Sequence, residues 1–524
     1  MKKLFAVIML FLANFGKTQD LDILITNARI LDGTGNNWFY GDIAIKEGKI
    51  LSVGRLQSHT AKQVFDAKGL YAAPGFIDVH THIEGDETRE PEARAFIYDG
   101  VTTVVTGNCG SSRDHIGQYL RYIDSLKLAV NTATLIGHNN VRRQVLGNAN
   151  RLPDAGEQQR MNALVAEGMQ QGAVGLSTGL IYIPGTYSNT HEISAMARVA
   201  HEYGGVYATH MRNEGDRVNE AINEALTIGR ETGIPVQISH FKVSGQNNWG
   251  RSNETLGLVK AARAEGLEVT IDQYPYTASS TGLSTLIPRE ILADGNDSVV
   301  ARLQRPEIRS YVKDQMLKSL KKRKLKHFTY AQVASYRPNP EYNGKNIEQV
   351  NLLMGRKHRA KEEAETIMDM MVNGGASMVF HGIGEEDVKN IMKYPFNMFA
   401  SDASIRVWQS GVPHPRGYGT NARVLGRYVR EQQVISLEEA IRRMTSLPAQ
   451  KFNMKNKGLL REGMDADIVV FDAATVIDHS TYESPHQYST GFQYVIVNGV
   501  PVVVEGNHNG NRPGKAVYGP GHQQ

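Results

Sequence analysis

The sequence predicts an α/β fold whose main body is a (β/α)8 barrel. Apolar or β-branched segments alternate with segments whose apolar residues recur every three or four positions, as the strands and helices of such a barrel require. The chain has 524 residues, a length that suits one barrel with a smaller attached domain. We place the strands at about residues 73–82, 101–107, 132–138, 173–178, 205–210, 235–240, 267–274 and 397–402.

The predicted helices lie mostly between these strands. They cover about residues 157–170, 191–203, 215–232, 252–265 and 436–446, each with one apolar face. Another apolar segment, Ser377–His381, leaves the seventh and eighth strand positions ambiguous.

The first residues are typical of a targeting signal. Lys2 and Lys3 precede an apolar run from Leu4 to about Phe15, which has the length of a secretory h-region and is too short to span a bilayer. We therefore predict a signal peptide over residues 1–19 and an exported, periplasmic or secreted protein without stable membrane insertion. No small-x-small pair precedes Asp20, so the cleavage site stays open.

The composition is that of an ordinary globular protein, with 41% hydrophobic and 21% charged residues. The net charge of +4 is small for this length and is spread along the chain. It gives no reason to expect nucleic acid as a partner, and we expect a small-molecule substrate. The sequence does not indicate an oligomeric state.

The pair His80-x-His82 ends the first predicted strand. Residues i and i+2 of a strand point to one face, so both imidazoles can reach one cation. Taken alone, the two histidines are as consistent with an ordinary surface pair or a hydrogen-bonded core pair as with a metal site. However, later strands also end in metal-ligand residue types, namely Cys109, His210, His240 and Asp402. The carboxyl ends of parallel barrel strands open onto one face, so these side chains are expected to converge there.

Cys109 is the only cysteine and cannot form an intramolecular disulfide. It lies in the turn Gly107-Asn-Cys-Gly110, directly after a β-branched strand. It is either an inert buried thiol or a working one. Imidazoles with one thiolate and one carboxylate favour zinc over calcium or magnesium, which prefer oxygen ligands. The candidate ligands are too many for one tetrahedral ion, which makes a two-metal site plausible.

These motifs resemble the N-acyl-D-amino-acid deacylase (D-aminoacylase) family of the amidohydrolase superfamily, from about residue 22 to about 510. The Gly-Asn-Cys-Gly turn and the His-Pro-Arg-x-Tyr-Gly-Thr segment are the most specific to this family. The segments that carry the resemblance are Gly75-Phe-Ile-Asp-Val-His-Thr-His82, Thr106-Gly-Asn-Cys-Gly110, Gly175-Leu-Ser-Thr-Gly-Leu180 with Pro184-Gly-Thr-Tyr187, Thr209-His-Met-Arg-Asn-Glu214, Ser239-His-Phe-Lys242, Ser401-Asp402, His414-Pro-Arg-Gly-Tyr-Gly-Thr420 and Gly463-Met-Asp-Ala-Asp-Ile-Val-Val-Phe471.

The resemblance implies a role for each matched residue. One tightly bound zinc would be held by Cys109, His210 and His240, and a second, weaker site would be formed by His80, His82 and Asp402. Many members of the superfamily bridge two metals with a lysine on the fourth strand, which here reads Leu176-Ser177-Thr178. Cys109 would take the place of that lysine. The substrate carboxylate would be bound by Lys242, Tyr274 and Arg416. Arg212 and His138 are weaker candidates for the pocket, and His381 is expected to be structural.

The function that the resemblance implies is zinc-dependent hydrolysis of N-acyl-D-amino acids to a carboxylic acid and a D-amino acid. Asp402 would act as general acid and base on a metal-activated water. Three alternatives stay open: a dipeptidase for peptides with a C-terminal D-residue, a cyclic-amide hydrolase resembling dihydroorotase or hydantoinase, and a non-catalytic zinc-containing binding protein. The preference for D-substrates comes from the resemblance alone. A neutral, apolar D-amino acid is favoured over an acidic one, because no second arginine cluster is evident.

The resemblance also completes the architecture. Residues 20–72 and 455–510 would pair into one small β-sandwich from both chain ends, with the catalytic barrel, residues 73–435, between them. An α/β insertion over about residues 287–350 would lie over the active site. The basic cluster from Lys318 to Lys326 is interpreted as a solvated helical face.

Overall fold

The computed structural model describes residues 21–56 and 60–523. The predicted signal peptide, residues 1–19, lies outside the described residues. Within the described part of the chain, no helix combines the length and the apolar character that crossing a membrane requires.

Eight parallel strands form a closed barrel, as predicted. The strands are Phe76–Asp78, Val101–Thr106, Asn131–Thr134 continued by Ile136–Gly137, Gly175–Gly179, Val206–His210, Val236–Ile238, Val269–Gln273 and Asn397–Phe399. Neighbours in this order pair in parallel. A parallel bridge between Thr81 and Ala403 joins the last strand to the first. Because the strands are parallel, the loops after their carboxyl ends all lie on one face.

Helices pack around the barrel, and the five predicted ones are present with bounds shifted by up to three residues. The helices are Arg94–Ile97, Ile116–Leu126, His138–Leu146, Ala155–Gln170, Thr190–Glu202, Val218–Thr232, Ser252–Ala264, Glu385–Met392, Arg416–Arg423, the π-helix Val424–Glu431, Leu437–Met444 and Ser446–Lys451. Local chemistry sets some of these bounds. Asp154, for example, accepts the N–H of Glu157, whose side chain accepts the N–H of Asp154, and this capping box starts the helix Ala155–Gln170.

An insertion of mixed α/β structure separates the seventh and eighth barrel strands. Its antiparallel sheet contains Ala278–Gly282, Ser377–His381 and Ala331–Ser335, in that spatial order. Its helices are Asn296–Leu303, Pro306–Lys322, Ile347–Leu353 and Ala360–Val372. The ambiguous segment Ser377–His381 therefore belongs to the insertion, and Asn397–Phe399 is the eighth barrel strand. Strand pairing gives the insertion wider bounds than 287–350, because both of its flanking strands pair within it.

Both chain ends contribute to one further sheet of nine strands. The strands before the barrel are Leu21–Ile30, Phe39–Lys46, Lys49–Gly54, Ala61–Asp66 and Tyr71–Pro74, and those after it are Ile468–Phe471, Phe492–Val497, Val500–Val504 and Asn507–His508. Antiparallel pairing of Tyr71–Pro74 with Ile468–Phe471 joins the two chain ends. Alternate residues such as Ile23, Ile25 and Ile468 share one buried core.

Candidate active site

Four of the predicted metal ligands meet at the carboxyl ends of the barrel strands. The sulfur of Cys109 lies 3.3 Å from His80 Nε2, 3.7 Å from His210 Nδ1 and 3.8 Å from His240 Nε2. All four side chains are buried. Ligand atoms of His80, Cys109 and His240 all lie within 4.8 Å of one another, which is close enough for one metal ion, and His210 adjoins this group through Cys109.

Asp402 joins this group from the eighth strand. Its Oδ1 lies 3.3 Å from His82 Nε2 and 3.6 Å from His80 Nε2, and its Oδ2 lies 2.8 Å from a guanidinium nitrogen of Arg416. His80 therefore links the Cys109 group to the Asp402 group. The structure brings all six sequence-predicted ligands together, and their division between two metal positions stays a prediction.

The backbone turns sharply at three of these residues. Cys109, His240 and Asp402 have φ angles of 53°, 36° and 49°, in the left-handed region that side chains other than glycine seldom adopt. Each such residue costs about 1–3 kcal/mol, which the surrounding structure must offset.

The fourth strand holds the Cys109 turn in place. Ser177 Oγ accepts the N–H of Gly110 at 3.0 Å, and the Ser177 hydroxyl donates to the carbonyl oxygen of Gly107. A Cβ added to Gly179 would lie 2.0 Å from the Cys109 carbonyl oxygen, so only glycine allows this close approach. The strand that carries a lysine in many superfamily members here positions the cysteine loop.

Two buried carboxylates behind the site were not predicted from the sequence. Asp78 accepts the N–H groups of His80 and Ser401, both at 3.1 Å. Asp272 accepts the N–H of His240 at 2.7 Å and lies 3.7 Å from His80 Nδ1. Burial raises the pKa of Asp78 to about 6, against hydrogen bonds from its neighbours that lower it. Such partners fix the orientation of ligand side chains.

Glu214 is a further site residue that received no role from the sequence. Its Oε1 lies 2.6 Å from Lys242 Nζ and 2.8 Å from His240 Nδ1. Burial would raise the pKa of Glu214, but Lys242 and His240 hold it well below its usual range. The only feature of the sequence that indicates a role for Glu214 is Lys242, two residues after His240. A lysine buried at a barrel mouth needs a carboxylate partner.

The three predicted carboxylate-binding residues face the same cavity as the metal-ligand group. This cavity has a volume of about 360 Å³. The ring of Tyr274 lies between two cations, with its centre 4.5 Å from Arg416 Cζ and 5.6 Å from Lys242 Nζ. Within residues 21–56 and 60–523, the buried Tyr274 hydroxyl has no hydrogen-bond partner. A ring flanked by two cations, with an unpaired hydroxyl, is suited to binding an anion.

The weaker candidates lie elsewhere. His138 Nε2 pairs with Glu192 at 2.9 Å, and Arg212 pairs with Glu224 at 2.9 Å. Neither lines the 360 Å³ cavity, so both support neighbouring loops. His381 lies in the insertion sheet and contacts Gln332 Oε1 at 3.2 Å.

The charges around the site favour the ionised forms of the Cys109 thiol and the Asp402 carboxyl. Burial alone would raise the pKa of the Cys109 thiol, but His80 and contacts with His210 and His240 bring it well below its usual value. For Asp402, Arg416 and His80 outweigh burial and lower the carboxyl pKa. The donor set of thiolate, imidazoles and carboxylate is one that suits zinc.

A second, outer cavity of about 540 Å³ adjoins the first. Both are lined by Arg143, Glu214 and the segment 181–183, and the outer one is also lined by residues of the insertion such as Arg289 and Arg323. Tyr182, on the loop after the fourth barrel strand, hydrogen-bonds to Thr281 of the insertion at 3.0 Å. The insertion therefore lies beside the approach to the site.

Comparison with known proteins agrees with this geometry. The sequence profile of the amidohydrolase family matches residues 63–503. A D-aminoacylase from Alcaligenes xylosoxydans xylosoxydans is 34% identical over 95% of this chain and 98% of its own length. An N-acyl-D-aspartate deacylase from the same organism is also 34% identical, over 95% of each chain.

A solved structure shows the same similarity to this group of deacylases. The crystal structure of an N-acyl-D-glutamate deacylase from Bordetella bronchiseptica, complexed with zinc and a phosphonate mimic of the tetrahedral intermediate, superposes with a TM-score of 0.81. It is 33% identical to this chain, and the match covers 95% of this chain and 100% of the other. The similarity extends over 95% of this chain, and the predicted metal ligands lie together at the barrel mouth. This chain therefore belongs to the amidohydrolase family and, within it, to the D-aminoacylase group.

Proposed function

We propose that this protein is a zinc-dependent amidohydrolase that cleaves the amide bond of N-acyl-D-amino acids. The observation that carries the proposal is that one cavity of about 360 Å³ is lined by five of the six candidate metal ligands, all except His80, and by the cluster of Lys242, Tyr274 and Arg416. A metal-activated water and an anchored carboxylate are the two requirements for hydrolysing such a substrate. The similarity to D-aminoacylase along nearly the whole chain supports the same activity.

The residues suited to hold zinc form two groups that share the barrel mouth. We assign the tighter position to Cys109, His210 and His240, and the weaker one to His80, His82 and Asp402. A bound zinc ion supplies Lewis acidity, which activates water and polarises the amide carbonyl. The Nδ1 of His240 faces Glu214 at 2.8 Å, so Nδ1 carries the proton and Nε2 is left as the donor atom.

Asp402 is the proposed proton shuttle. Its carboxylate contacts Arg416 at 2.8 Å, and this contact keeps it ionised and fixes the place where it receives a proton. It takes a proton from the attacking water and then gives it to the amide nitrogen. An unprotonated amine is a poor leaving group, so this second transfer lets the carbon–nitrogen bond break.

Lys242, Tyr274 and Arg416 are the proposed site for the α-carboxylate. Since His240 Nδ1 donates to Glu214, the ammonium of Lys242 uses two of its three protons, one on Glu214 and one on the His240 carbonyl oxygen. Its third proton and the unpaired Tyr274 hydroxyl are left for the substrate. Together they fix the amide bond relative to Asp402.

For the side-chain subsite we propose a neutral, apolar D-residue. Ile181, Tyr182 and Ile183 line the cavity and give it apolar surface. Arg143 also lines it and has no side-chain partner among the described residues, so it is the group that would favour an acidic side chain instead. Family similarity does not decide this point, because the D-aminoacylase and the N-acyl-D-aspartate deacylase are equally similar to the chain. A peptide with a C-terminal D-residue offers the same carboxylate and is the second candidate substrate.

The test is a substrate panel on the zinc-loaded protein. It contains N-acetyl-D-leucine, N-acetyl-L-leucine, N-acetyl-D-aspartate, an L-Ala-D-Leu dipeptide and dihydroorotate, and amine release or ring opening is measured. The proposal expects the highest kcat/KM with N-acetyl-D-leucine. Release from the L-isomer at an equal rate, or activity with dihydroorotate alone, would contradict it. A higher rate with D-aspartate would overturn only the side-chain preference.

We also propose that the protein is exported, on the basis of Lys2, Lys3 and the apolar run that follows them. Cell fractionation with N-terminal sequencing of the mature chain tests this. An intact N-terminus in the cytoplasmic fraction would contradict it.

A further inference from the structure

A second group of metal-ligand side chains lies in the insertion. It consists of His327, Glu348, His358 and Glu363, whose ligand atoms all lie within 4.8 Å of one another. None of these residues lines the two cavities at the barrel mouth. We propose that this group, the insertion cluster, binds a zinc ion that cross-links the insertion and takes no part in catalysis.

The cluster brings together two imidazole nitrogens and two carboxylate oxygens. His327 Nδ1 lies 2.5 Å from Glu363 Oε1 and 3.6 Å from Glu348 Oε1. The same Glu348 oxygen contacts His358 Nε2. The two imidazole rings stack, with centroids 4.3 Å apart and planes 18° apart. Four protein ligands of these types are the number that a closed structural zinc site uses.

The chemistry of the donors selects the ion. Calcium and magnesium prefer oxygen ligands alone, whereas imidazole with carboxylate suits zinc. Zinc has no geometric preference from its d electrons. It can therefore accept ligands that come from separate segments of the chain without requiring a fixed planar or octahedral arrangement.

The cluster is buried on one side and open to solvent on the other. Glu363 is fully buried, and its second oxygen accepts the N–H of Phe328 at 2.8 Å. The side chain of His358, by contrast, is 55% exposed. One carboxylate is thus held in place before an ion binds, and the opposite side of the cluster is open to solvent.

The positions of the ligands show what the ion would join. His327 precedes the strand Ala331–Ser335, Glu348 lies in the helix Ile347–Leu353, and Glu363 lies in the helix Ala360–Val372. An ion shared among them would tie these segments into one unit. Ion pairs between the imidazoles and the carboxylates could also join them, but such pairs predict no dependence on zinc.

The experiment uses the full chain with Cys109→Ser, His240→Ala and His82→Ala, which remove ligands from both proposed zinc positions of the barrel site. This background protein should keep one zinc per chain in equilibrium dialysis, and saturating zinc should raise its melting temperature by about 2 °C. Adding His358→Ala should abolish both effects. Adding His381→Ala should abolish neither, because His381 lies in the same insertion but outside the cluster.

Cobalt(II) provides an independent spectroscopic signature. Cys109 is the only cysteine, so cobalt in the background protein should give visible ligand-field bands without a thiolate charge-transfer band. Circular dichroism checks that each variant is folded. If the three substitutions together unfold the protein, the single variant His358→Ala should bind one zinc fewer than the unmodified chain. Equal zinc binding with and without His358→Ala would overturn the proposal.

Discussion

The ammonium of Lys242 lies 2.6 Å from the carboxylate of Glu214, and the same carboxylate oxygen lies 2.8 Å from His240 Nδ1. One buried carboxylate therefore contacts both a candidate zinc ligand and a candidate substrate-binding cation. A change at Glu214 should act on metal binding and on substrate binding together. This coupling distinguishes Glu214 from the ligands themselves.

Glu214→Gln should weaken zinc binding at the tighter position by about 10- to 100-fold, because His240 loses the partner that orients its ring. The measurement is the zinc dissociation constant in competition with a chelator. Glu224→Gln is the matched control, since Glu224, in the helix Val218–Thr232, pairs with Arg212 and does not line the cavity. Equal zinc affinity in the Glu214 variant and the unmodified protein would contradict the assignment.

Asp402→Asn should reduce kcat by about 10²- to 10⁴-fold, the range associated with loss of general acid–base catalysis. The tighter zinc should stay bound, because its proposed ligands are unchanged. Metal analysis and steady-state kinetics with the same protein sample separate the two effects. Near-full deacylase activity in this variant would show that another group moves the proton.

Tyr274→Phe should raise KM by about 10-fold or more, because a hydrogen bond to a charged group is worth about 1.5–3 kcal/mol. The effect should disappear with a substrate whose α-carboxylate is replaced by a carboxamide. Tyr276→Phe is the control, since the Tyr276 hydroxyl faces Gly419 and Asp478 away from the cavity. An equal KM increase for the acid and the carboxamide would contradict carboxylate binding by Tyr274.

The sequence predicts the barrel and its strand-end residues well because both signals are local. A β-branched strand such as Val101–Thr106 is followed at once by the turn that contains Cys109, so the sequence shows directly that this residue lies at the carboxyl end of a strand. The same holds for His210 and His240. No contact between distant segments is needed to place these residues at the barrel mouth.

The residues that support the site could not be found in this way. Asp272 and Glu214 act through contacts across neighbouring strands, 32 and 26 residues away from His240, respectively. The same reason explains the bounds of the insertion. The strand Ala278–Gly282 reads Ala-Ser-Ser-Thr-Gly and has no alternating apolar pattern. It is a strand because it pairs with Ser377–His381.

The pH dependence of stability should show the effect of Lys451, a buried lysine far in sequence from the site residues. Burial lowers the pKa of Lys451 to about 8, only partly offset by Glu268 at 3.3 Å. In the unfolded chain its pKa is that of an ordinary lysine, about 10.4. Between these values the unfolded state binds more protons, so the contribution of Lys451 to the free energy of unfolding rises with pH.

From pH 8 to pH 10 the unmodified protein should therefore gain about 2–3 kcal/mol relative to Lys451→Met. Below about pH 7 the difference between the two proteins should be constant, because the lysine is then protonated in both states. Urea unfolding at each pH unit from 7 to 10 measures this difference. Lys260→Met, which changes an exposed lysine of the helix Ser252–Ala264, is the control. Parallel stability curves for the unmodified protein and Lys451→Met would show that Lys451 keeps its proton throughout this range.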